Sequence, residues 1–571
     1  MVKNEERVGI VSRLGSNGEG VVKDGDFTVF VPYTLPNEKI KYKVLKVKKN
    51  VVFAKVVEVY TPAEERVRPA CAVYEKCGGC QLQHLKYKLQ LKLKSKIVKE
   101  CFSKIAFMNV SVPMTERSEL EYGYRNKLQL PVRAENFGCE IGFFAQGSHR
   151  IVPINSCPIQ PEWCTRIIKA VKKYVKMNNV SVYSDKVGFG LLKHVVVRAV
   201  DGRLLITFVI NGDTLPHVNE LIGVLKEYFN DFSLFVNINK LGNNVILGDR
   251  FICLFGKDKV LTSDCGIKYE IGPESFMQVN DNVRRRIYQE AVKVAGVDDE
   301  TVVIDAYSGA GMLTAIFAQR AKKAIGIEII KEAVDCADSL KKINGLWSKM
   351  ENICAPCEEA LPEILAREKS SAGKTVLVLD PPRQGVDEKL INVIKEVKPQ
   401  KIVYISCSPQ TLARDVGLLT DTLKREGSDL IKNEEPNPIY ELIEVKPYDM
   451  FPQTKHVETL VVLSHKKPDG HISVNVEFGE EEGQVSLKDI EKRAKEREPK
   501  KKTTYKDIQA YIEEKYGFKV HTSYIAEVKR DLGLPMYDAP NAVEELKKPR
   551  QHPTEKMVEA IKDALKYFEI I

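Results

Sequence analysis

A strand that ends in a cysteine is the feature that most constrains this chain. Residues 401–409 read K-I-V-Y-I-S-C-S-P, and the unbroken β-formers Val403, Tyr404 and Ile405 predict a buried strand. Pro409 has no backbone N–H to offer a neighbouring strand, so pairing stops there and Cys407 lies just past the strand. In open α/β sheets, ligands bind at this carboxyl edge. The alternative is an inert packing cysteine, and the rest of the chain decides between the two.

Two more predicted strands indicate a nucleotide-like ligand at the same edge. Thr301–Ala306 opens into Y-S-G-A-G, in which Gly309 and Gly311 let backbone amides approach a ligand at the start of the next helix. The following strand, K-A-I-G-I-E, ends at Glu328, where an acid suits two ribose hydroxyls. A full G-x-G-x-x-G would indicate NAD, but Thr314 stands at its third position. The pattern therefore favours an S-adenosylmethionine (SAM) site.

Further polar residues are predicted to converge beside this site. The buried run T-V-L-V-L ends in Asp380, and two prolines after it make a stiff wall suited to a planar base. Glu458 begins another apolar run, E-T-L-V-V-L. We therefore expect Asp380, Cys407 and Glu458 to lie together at the carboxyl edge of the sheet.

A thiol, carboxylates and a methyl donor suit one reaction in particular. Carbon 5 of uracil is too weak a nucleophile to accept a methyl group unaided, but addition of a thiolate to carbon 6 activates it. A base must then remove the proton on carbon 5. Because the thiolate is required, we expect a lowered pKa for Cys407. The target nucleotide must also leave its stack to reach the pocket.

A group of cysteines near residue 75 has the spacing of a metal site. Three of them stand in C-A-V-Y-E-K-C-G-G-C, namely Cys71, Cys77 and Cys80. A fourth ligand must come from elsewhere, and Cys157 is favoured over Cys139 and Cys164. Four thiolates suit either structural zinc or an iron–sulfur cluster, and the residues alone leave both open. Unligated cysteines are the third alternative.

The segments around these motifs have simpler patterns. About five short β-rich runs before residue 61 predict a small barrel of the OB type, whose lysines either contact RNA phosphates or form a solvated face. Leu89, Leu93 and Ile97 give the next segment the apolar stripe of a helix, and we expect its lysines, Lys94 among them, on the other faces. A hairpin is predicted around residues 201–202, with further strands near 234–238 and 244–247.

Composition limits the class of protein. At 571 residues the chain is too long for one core, so three or four domains are expected. Its net charge of +9 permits a nucleic-acid partner. The opening M-V-K-N-E-E-R lacks the apolar segment of a signal peptide, and no apolar run approaches the roughly 18 residues of a membrane span. With 13 cysteines that suit reduced thiols, we expect a cytoplasmic protein outside the membrane.

Several of these motifs together resemble those of a known family. D-A-Y-S-G-A-G, L-D-P-P-R-Q-G, Y-I-S-C-S-P-Q-T-L-A-R-D and D-M-F-P-Q-T-K-H-V-E-T look like the motifs of the RNA uracil-5-methyltransferases, the TrmA/RumA/RlmD group. S-F-M-Q-V-N, Y-R-N-K and the cysteine pattern extend the resemblance to residues 5–465. The N-terminal region resembles a TRAM domain.

The resemblance assigns roles to individual residues. It implies that Cys407 is the nucleophile and that Glu458 accepts the proton. It implies a SAM site formed by Gln278, Tyr307, Glu328 and Asp380. It also implies a [4Fe–4S] cluster, rather than zinc, held by Cys71, Cys77, Cys80 and Cys157. One departure concerns the adenine: where the family offers a polar side chain, this chain has Ala355, Pro356 and Cys357.

We therefore expect a multidomain α/β protein. The expected parts are a TRAM/OB-like barrel (1–62), a central α+β domain with the four-cysteine cluster (63–270), a Rossmann-like SAM-dependent methyltransferase domain (271–466), a charged linker (467–502) and a helical, helix-turn-helix-like extension (503–571). For the extension, an additional nucleic-acid contact and a protein-docking bundle stay open.

The expected function is SAM-dependent methylation of carbon 5 of a uridine in 23S rRNA, because a barrel plus a cluster resembles the ribosomal branch of the family. The alternatives are methylation of tRNA, a non-catalytic RNA-binding protein on a methyltransferase fold, and an iron–sulfur radical enzyme. The C-x5-C-x2-C spacing disfavours the last, because radical enzymes of that kind usually use C-x3-C-x2-C.

Overall fold

The computed structural model describes residues 1–135, 138–184, 187–275, 277–368, 374–466, 505–532, 534 and 552–568. The chain divides into two units, residues 1–470 and 471–571. The linker expected at 467–502 and the aromatic residue of S-F-M-Q-V-N, Phe276, lie outside the described residues. None of the described helices combines the length and apolar character that a membrane span requires.

The first five strands close into a barrel in the order β1-β2-β3-β5-β4. Alternate side chains of these strands, among them Val11, Val29 and Tyr42, fill its interior. The small barrel predicted from the sequence is therefore confirmed. Its strands are β1 (Glu6–Leu14), β2 (Gly20–Asp24), β3 (Phe27–Val31), β4 (Lys39–Lys48) and β5 (Val51–Thr61).

The helix that follows, α1 (Tyr87–Lys104), does not pack with the central sheet next to it in sequence. Its apolar residues, including Leu93, Ile97 and Phe102, belong to the core beneath the C-terminal sheet of the same unit. Lys94 was expected on a helix face away from the apolar stripe, either solvated or lining RNA, and this is wrong. Its side chain is fully buried and forms an ion pair with Asp449, whose buried carboxylate requires a cationic partner.

A central seven-stranded sheet has the order β12-β11-β10-β9-β6-β7-β8 and is covered by two helices. The hairpin predicted at residues 201–202 is confirmed, since Asp201 and Gly202 both have positive φ, as a tight hairpin turn requires. The strand predicted near 244–247 is wrong: that segment is irregular, and β12 begins at Arg250. The elements are β6 (Lys127–Glu135), β7 (Gly138–Phe144), β8 (Ile151–Pro153), α2 (Trp163–Met177), β9 (Leu192–Val200), β10 (Arg203–Ile210), α3 (Val218–Lys226), β11 (Phe232–Ile238) and β12 (Arg250–Phe255).

A second seven-stranded sheet carries the predicted catalytic motifs, in the order β17-β16-β15-β18-β19-β23-β22. Five strands are parallel, and β23 joins antiparallel to β19. Apolar side chains fill a core on each face of the sheet, because its central strands are buried on both sides.

The elements of this region begin with a two-stranded ribbon and a helix and end with the sheet's edge. They are β13 (Val260–Asp264), β14 (Ile267–Ile271), α4 (Asp281–Ala295), β15 (Thr301–Ala306), α5 (Met312–Ala318), β16 (Lys323–Glu328), α6 (Lys331–Ile343), β17 (Met350–Cys354), α7 (Cys357–Glu368), β18 (Lys374–Leu379), α8 (Glu388–Val397), β19 (Lys401–Ser406), α9 (Pro409–Leu419), β20 (Leu423–Glu426), β21 (Asp429–Lys432), β22 (Tyr440–Tyr448) and β23 (Glu458–His465).

The described part of the second unit contains helices at Tyr505–Tyr516, Thr522–Asp531 and Glu555–Tyr567. They share a small apolar core that includes Ile508, Ile512, Ile525 and Leu565. Gly517 has a positive φ of 74° directly after the first of these helices, which lets the chain turn there. The helix-turn-helix resemblance stays a prediction.

Candidate active site

Cys407 lies in a short turn between β19 and α9, as the sequence predicted. The hydroxyl of Ser406 accepts a hydrogen bond from the backbone N–H of Ser408 at 3.1 Å. Ser408 is the N-cap of α9, its hydroxyl accepting from the N–H of Thr411, and Pro409 takes the first helical position. The turn therefore holds the half-buried thiol at the carboxyl edge of the sheet.

Glu458 stands across from this thiol. Strands β19 and β23 run antiparallel and pair Ser406 with Thr459, which are the sequence neighbours of Cys407 and Glu458. Cys407 and Glu458 therefore lie close together where this pairing ends, and the charge of Glu458 acts on the thiol. Glu458 is only 1% exposed, and its Oε2 atom has no hydrogen-bond partner among the described residues. Burial raises the pKa of Glu458 well above its usual value, and the nearby charge of Asp380 raises it further. The carboxylate therefore has a strong tendency to take up a proton.

Asp380 directly follows β18, the strand beside β19 in the sheet. Burial raises the pKa of Asp380 to about 7. The charges of Asp380 and Glu458 both act on Cys407. The structure thus brings together the three residues that the sequence predicted to converge.

The pKa of the Cys407 thiol is raised, and the lowered pKa expected from the sequence is wrong. Burial is the main cause, and the carboxylates of Glu458 and Asp380 add to it by repelling a thiolate. The guanidinium of Arg383 acts in the opposite direction and lowers the pKa of the thiol. Arg383 is therefore the cationic group in this site that stabilises the thiolate.

The loop that carries Arg383 is held by α9, the helix that follows Cys407. Asp415 accepts hydrogen bonds from the backbone N–H of Val386 at 2.8 Å and from the hydroxyl of Tyr404 at 2.6 Å. Arg414 donates to the carbonyl of Gln384 at 2.9 Å. The helix therefore fixes both the thiol and the loop of its cationic neighbour. No site role was predicted for Arg383 from the sequence, although its position directly after the two prolines indicates that it lies at the same edge of the sheet as Asp380.

The loop after β15 has the conformation expected of a ligand-binding turn. Tyr307, Gly309 and Gly311 all have positive φ. The Oε2 atom of Glu328 accepts from the N–H of Gly309 at 3.0 Å, and its Oε1 atom accepts from the N–H of Ile330 at 2.9 Å. Glu328 therefore braces the glycine turn and is held at the end of β16, where the sequence predicted a ribose ligand.

Asp305, on β15 directly before this loop, is an acid that was not predicted as a site residue. It accepts a hydrogen bond from the hydroxyl of Thr314 at 2.6 Å, and burial raises its pKa to about 7. Tyr288, on α4, is a second such residue: the charges of Asp380, Asp305 and Glu458 all act on it, and burial raises its pKa. The bond between Asp305 and Thr314 lies within one motif. The charges that act on Tyr288 come from elements distant in the chain, so no local pattern indicated that residue.

Gln278 is half-buried in the segment before α4, and a residue of Y-R-N-K holds that segment in place. The side-chain amide of Asn126 donates to the carbonyl of Gln278 and to the carboxylate of Asp281, both at 2.9 Å. The backbone N–H of Asn126 donates to the carbonyl of Val279. Within Y-R-N-K, Asn126 therefore organises the fold.

The four predicted metal ligands share one cavity. Cys71, Cys77, Cys80 and Cys157 all line a space of about 410 Å³, whereas Cys139 and Cys164 lie in the core of the central sheet. Burial raises the pKa of Cys80 to about 12 and that of Cys157 to about 11, and the other thiols of the cavity contribute by repulsion. Among the described residues, no group of three or more metal-binding side chains is close enough to hold an ion. The cavity thus has the right donor atoms in an open arrangement.

Two protein-family models match most of the chain. A model of the tRNA (uracil-5-)-methyltransferase family matches residues 86–466, and a model of the TRAM domain matches residues 4–57. An uncharacterized RNA methyltransferase of Clostridium tetani is 37% identical over 461 residues, which cover 80% of this chain and 95% of that protein. One from Staphylococcus epidermidis is 35% identical over 472 residues, covering 82% and 99%.

A solved structure agrees with these matches. The crystal structure of Pyrococcus abyssi tRNA (uracil-54, C5)-methyltransferase in complex with S-adenosyl-L-homocysteine is similar to this chain with a TM-score of 0.62 and 26% identity. The similarity covers 80% of this chain and 99% of that one.

Proposed function

The chain belongs to the tRNA (uracil-5-)-methyltransferase family, a family of SAM-dependent RNA methyltransferases, and on that basis we propose that it methylates carbon 5 of a uridine in 23S rRNA. The proposed reaction passes through a covalent adduct between Cys407 and carbon 6 of the uracil. The observation that carries the proposal is that the Ser406–Thr459 strand pair brings Cys407 close to the buried carboxylate of Glu458, whose pKa is raised by burial.

The chain's own residues account for the steps around the uracil. The thiol of Cys407 gives up its proton to solvent, and the charge of Arg383 stabilises the resulting thiolate. The sulfur then bonds to carbon 6, and the electron pair of the double bond moves to make carbon 5 nucleophilic. After carbon 5 has been methylated, Glu458 takes its proton, the double bond re-forms, and the bond from sulfur to carbon 6 breaks.

SAM supplies the electrophilic methyl group in this proposal. The proposed SAM residues are Gln278, Tyr307, Glu328 and Asp380. Support comes from the positive-φ turn at residues 307–311, braced by Glu328, at the edge of the sheet where ligands of such folds bind. The adenine contact differs from the family pattern, because β17 is followed by Ala355 and Pro356, and Cys357 begins α7.

We also propose a [4Fe–4S] cluster bound by Cys71, Cys77, Cys80 and Cys157. The support is chemical: four thiols line one cavity, and thiolates are the ligands that such clusters take. The raised pKa values make deprotonation of these thiols costly, and bonds from the thiolates to iron would offset that cost. Protein purified without oxygen should contain about four irons per chain. Stoichiometric zinc instead would contradict the assignment.

The choice of RNA rests on two opposing observations. A TRAM barrel together with the four-cysteine cavity favours 23S rRNA, by analogy with the ribosomal branch of the family. The similarity to the Pyrococcus abyssi enzyme, which acts on uracil 54 of tRNA, favours tRNA as the second candidate. Either substrate uses the same chemistry at Cys407.

Two substitutions test the covalent route. Cys407→Ala should abolish methyl transfer while SAM binding is retained, because only the nucleophile is removed. Glu458→Gln should accumulate a protein–RNA adduct that survives a denaturing gel, because the amide cannot take the proton from carbon 5. Normal turnover by Cys407→Ala, or absence of any adduct with Glu458→Gln, would contradict the assignments.

A further inference from the structure

The loop that leads into Glu458 is bonded directly to the segment that carries the cysteines. This loop, residues 449–457, joins β22 to β23. The carbonyl oxygen of Gln453 accepts hydrogen bonds from the backbone N–H groups of Gln81 at 3.1 Å and Leu82 at 3.0 Å. The side chain of Gln81 accepts from the N–H of Lys455 at 3.3 Å and donates to the carbonyl of Gly78 at 2.9 Å. Because Gln81 follows Cys80, the two segments form one hydrogen-bonded unit.

A reciprocal pair of glutamines connects the same loop to α1. The side-chain amide of Gln90 donates to the side-chain oxygen of Gln453 at 2.9 Å and accepts from the backbone N–H of Gln453 at 3.1 Å. It also donates to the carbonyls of Leu82 and Leu85. Gln453 is 2% exposed and has a positive φ of 68°, a conformation that these bonds must hold in place.

Lys94 and Tyr124 also donate hydrogen bonds to the loop 449–457. Lys94 of α1 donates to Asp449 at 2.5 Å and to the carbonyl of Phe451 at 3.0 Å, in a fully buried position. The hydroxyl of Tyr124, a residue that packs in the same cluster as Cys80, donates to the carbonyl of Pro452 at 3.1 Å. Carbonyls at positions 451, 452 and 453 are thus all held by groups from outside the loop.

The carboxylate of Glu458, by contrast with this loop, has an oxygen without a hydrogen bond. Its Oε2 atom is buried without a hydrogen-bond partner among the described residues, so side-chain hydrogen bonds to that atom do not orient it. The backbone that leads into Glu458 therefore contributes to setting the position of its carboxylate. A base has to lie within hydrogen-bond reach of the proton it removes, so small displacements of this backbone matter.

We propose that Gln81, Gln90 and Gln453 are positioning residues that hold the loop 449–457 so that Glu458 meets the proton on carbon 5. The inference rests on the proposed function. In this proposal the cysteine-bearing segment helps to hold the loop before Glu458, because the side chain of Gln81 bonds to both Gly78 and Lys455.

The test separates adduct formation from proton removal. The substrate is RNA carrying tritium on carbon 5 of its uridines, used with SAM in a single turnover. Adduct formation is read on a denaturing gel, and proton removal is read as tritium released to water. For Gln453→Ala we expect adduct formation close to wild type and tritium release slowed about tenfold or more, with persisting adduct.

Gln400→Ala is the matched control. This glutamine is exposed at the other end of β19, and its substitution should leave both steps unchanged. If Gln453→Ala does not fold, Gln81→Ala carries the same test, because it removes side-chain bonds of a half-buried residue and leaves the backbone bonds in place. It should slow tritium release in the same direction by a smaller factor.

The outcomes are distinct. Equal slowing of both steps by Gln453→Ala or Gln81→Ala would indicate a general structural role and overturn the inference. Unchanged tritium release would overturn it too. Wild-type protein that forms no adduct contradicts the proposed function and this inference together, whereas a wild-type adduct whose decay is insensitive to these substitutions contradicts this inference alone.

Discussion

The reactivity of Cys407 depends on a balance between one guanidinium and two carboxyl groups. Burial and the charges of Glu458 and Asp380 raise the thiol pKa, while Arg383 lowers it. A thiol with a raised pKa is mostly protonated at neutral pH and is a weak nucleophile. In the proposed mechanism, Arg383 is therefore the group that favours the thiolate form of Cys407 for addition to carbon 6.

This balance predicts opposite effects of two substitutions. Arg383→Gln removes the group that stabilises the thiolate, so the pKa of Cys407 should rise and its alkylation by iodoacetamide at pH 8 should slow several-fold. Glu458→Gln removes a repelling charge, so the pKa should fall and alkylation should speed up. Mass spectrometry of the peptide containing Cys407, across a pH series, measures both. Shifts in the same direction would contradict the electrostatic account.

At the level of residues, the sequence predicted positions better than protonation. Strand ends placed Asp380, Cys407 and Glu458 at one edge because hydrophobic runs and prolines are local signals. The thiol pKa was predicted in the wrong direction because it depends on groups from β18, β19 and β23, which meet only in the folded chain. Lys94 was misplaced for the same reason: its partner, Asp449, is 355 positions away in the chain.

Among the elements, the loop between β15 and α5 contains two glycines with positive φ and different surroundings. A Cβ atom at Gly311 would lie 2.7 Å from the Cβ of Ala337 and 2.8 Å from the Cε of Met350, and φ there is 79°. Gly309 also has a positive φ, of 53°, but a Cβ atom there would meet nothing within 4 Å. The two glycines thus differ in packing while sharing a left-handed backbone.

This difference makes a matched pair of variants. Gly311→Ala combines strain with a steric clash, so we expect roughly 1–3 kcal/mol of destabilisation and at least about tenfold weaker binding of S-adenosyl-L-homocysteine. Gly309→Ala carries the backbone strain alone and should lose only about 1 kcal/mol. Denaturant unfolding and calorimetric titration measure the two effects. Equal losses at both positions would contradict the assignment of a packing role to Gly311.

Most elements could be predicted because their signals are local. The buried strand Thr301–Ala306 and the hairpin at Asp201 and Gly202 have the predicted bounds within a few residues. The strand predicted near 244–247 failed because the side chain of Asn239 donates to the carbonyls of Val245 and Ile246 and replaces ladder bonds. The helix α1 was recognised, but its packing beneath the catalytic sheet is a long-range contact that no periodicity reports.

On the scale of the whole molecule, the first unit brings together segments that are distant in sequence. The carboxyl edge of one sheet carries Cys407, Glu458 and the glycine turn, and the segment after Cys80 is hydrogen-bonded to the loop that leads into Glu458. The family model covers residues 86–466 and the TRAM model covers 4–57, so the helices beyond residue 500 lie outside both matches. Composition and charge permitted RNA as a partner, and the family match supports it.

The central claim is that this chain methylates carbon 5 of a uridine in RNA. The most direct test is transfer of a labelled methyl group from SAM to unmodified 23S rRNA and to tRNA in parallel, followed by identification of the labelled nucleoside and its position. We predict label in 5-methyluridine of 23S rRNA. Label in 5-methyluridine of tRNA alone would keep the chemistry and replace the substrate, whereas label on any other nucleoside, or none in either RNA, would contradict the central claim.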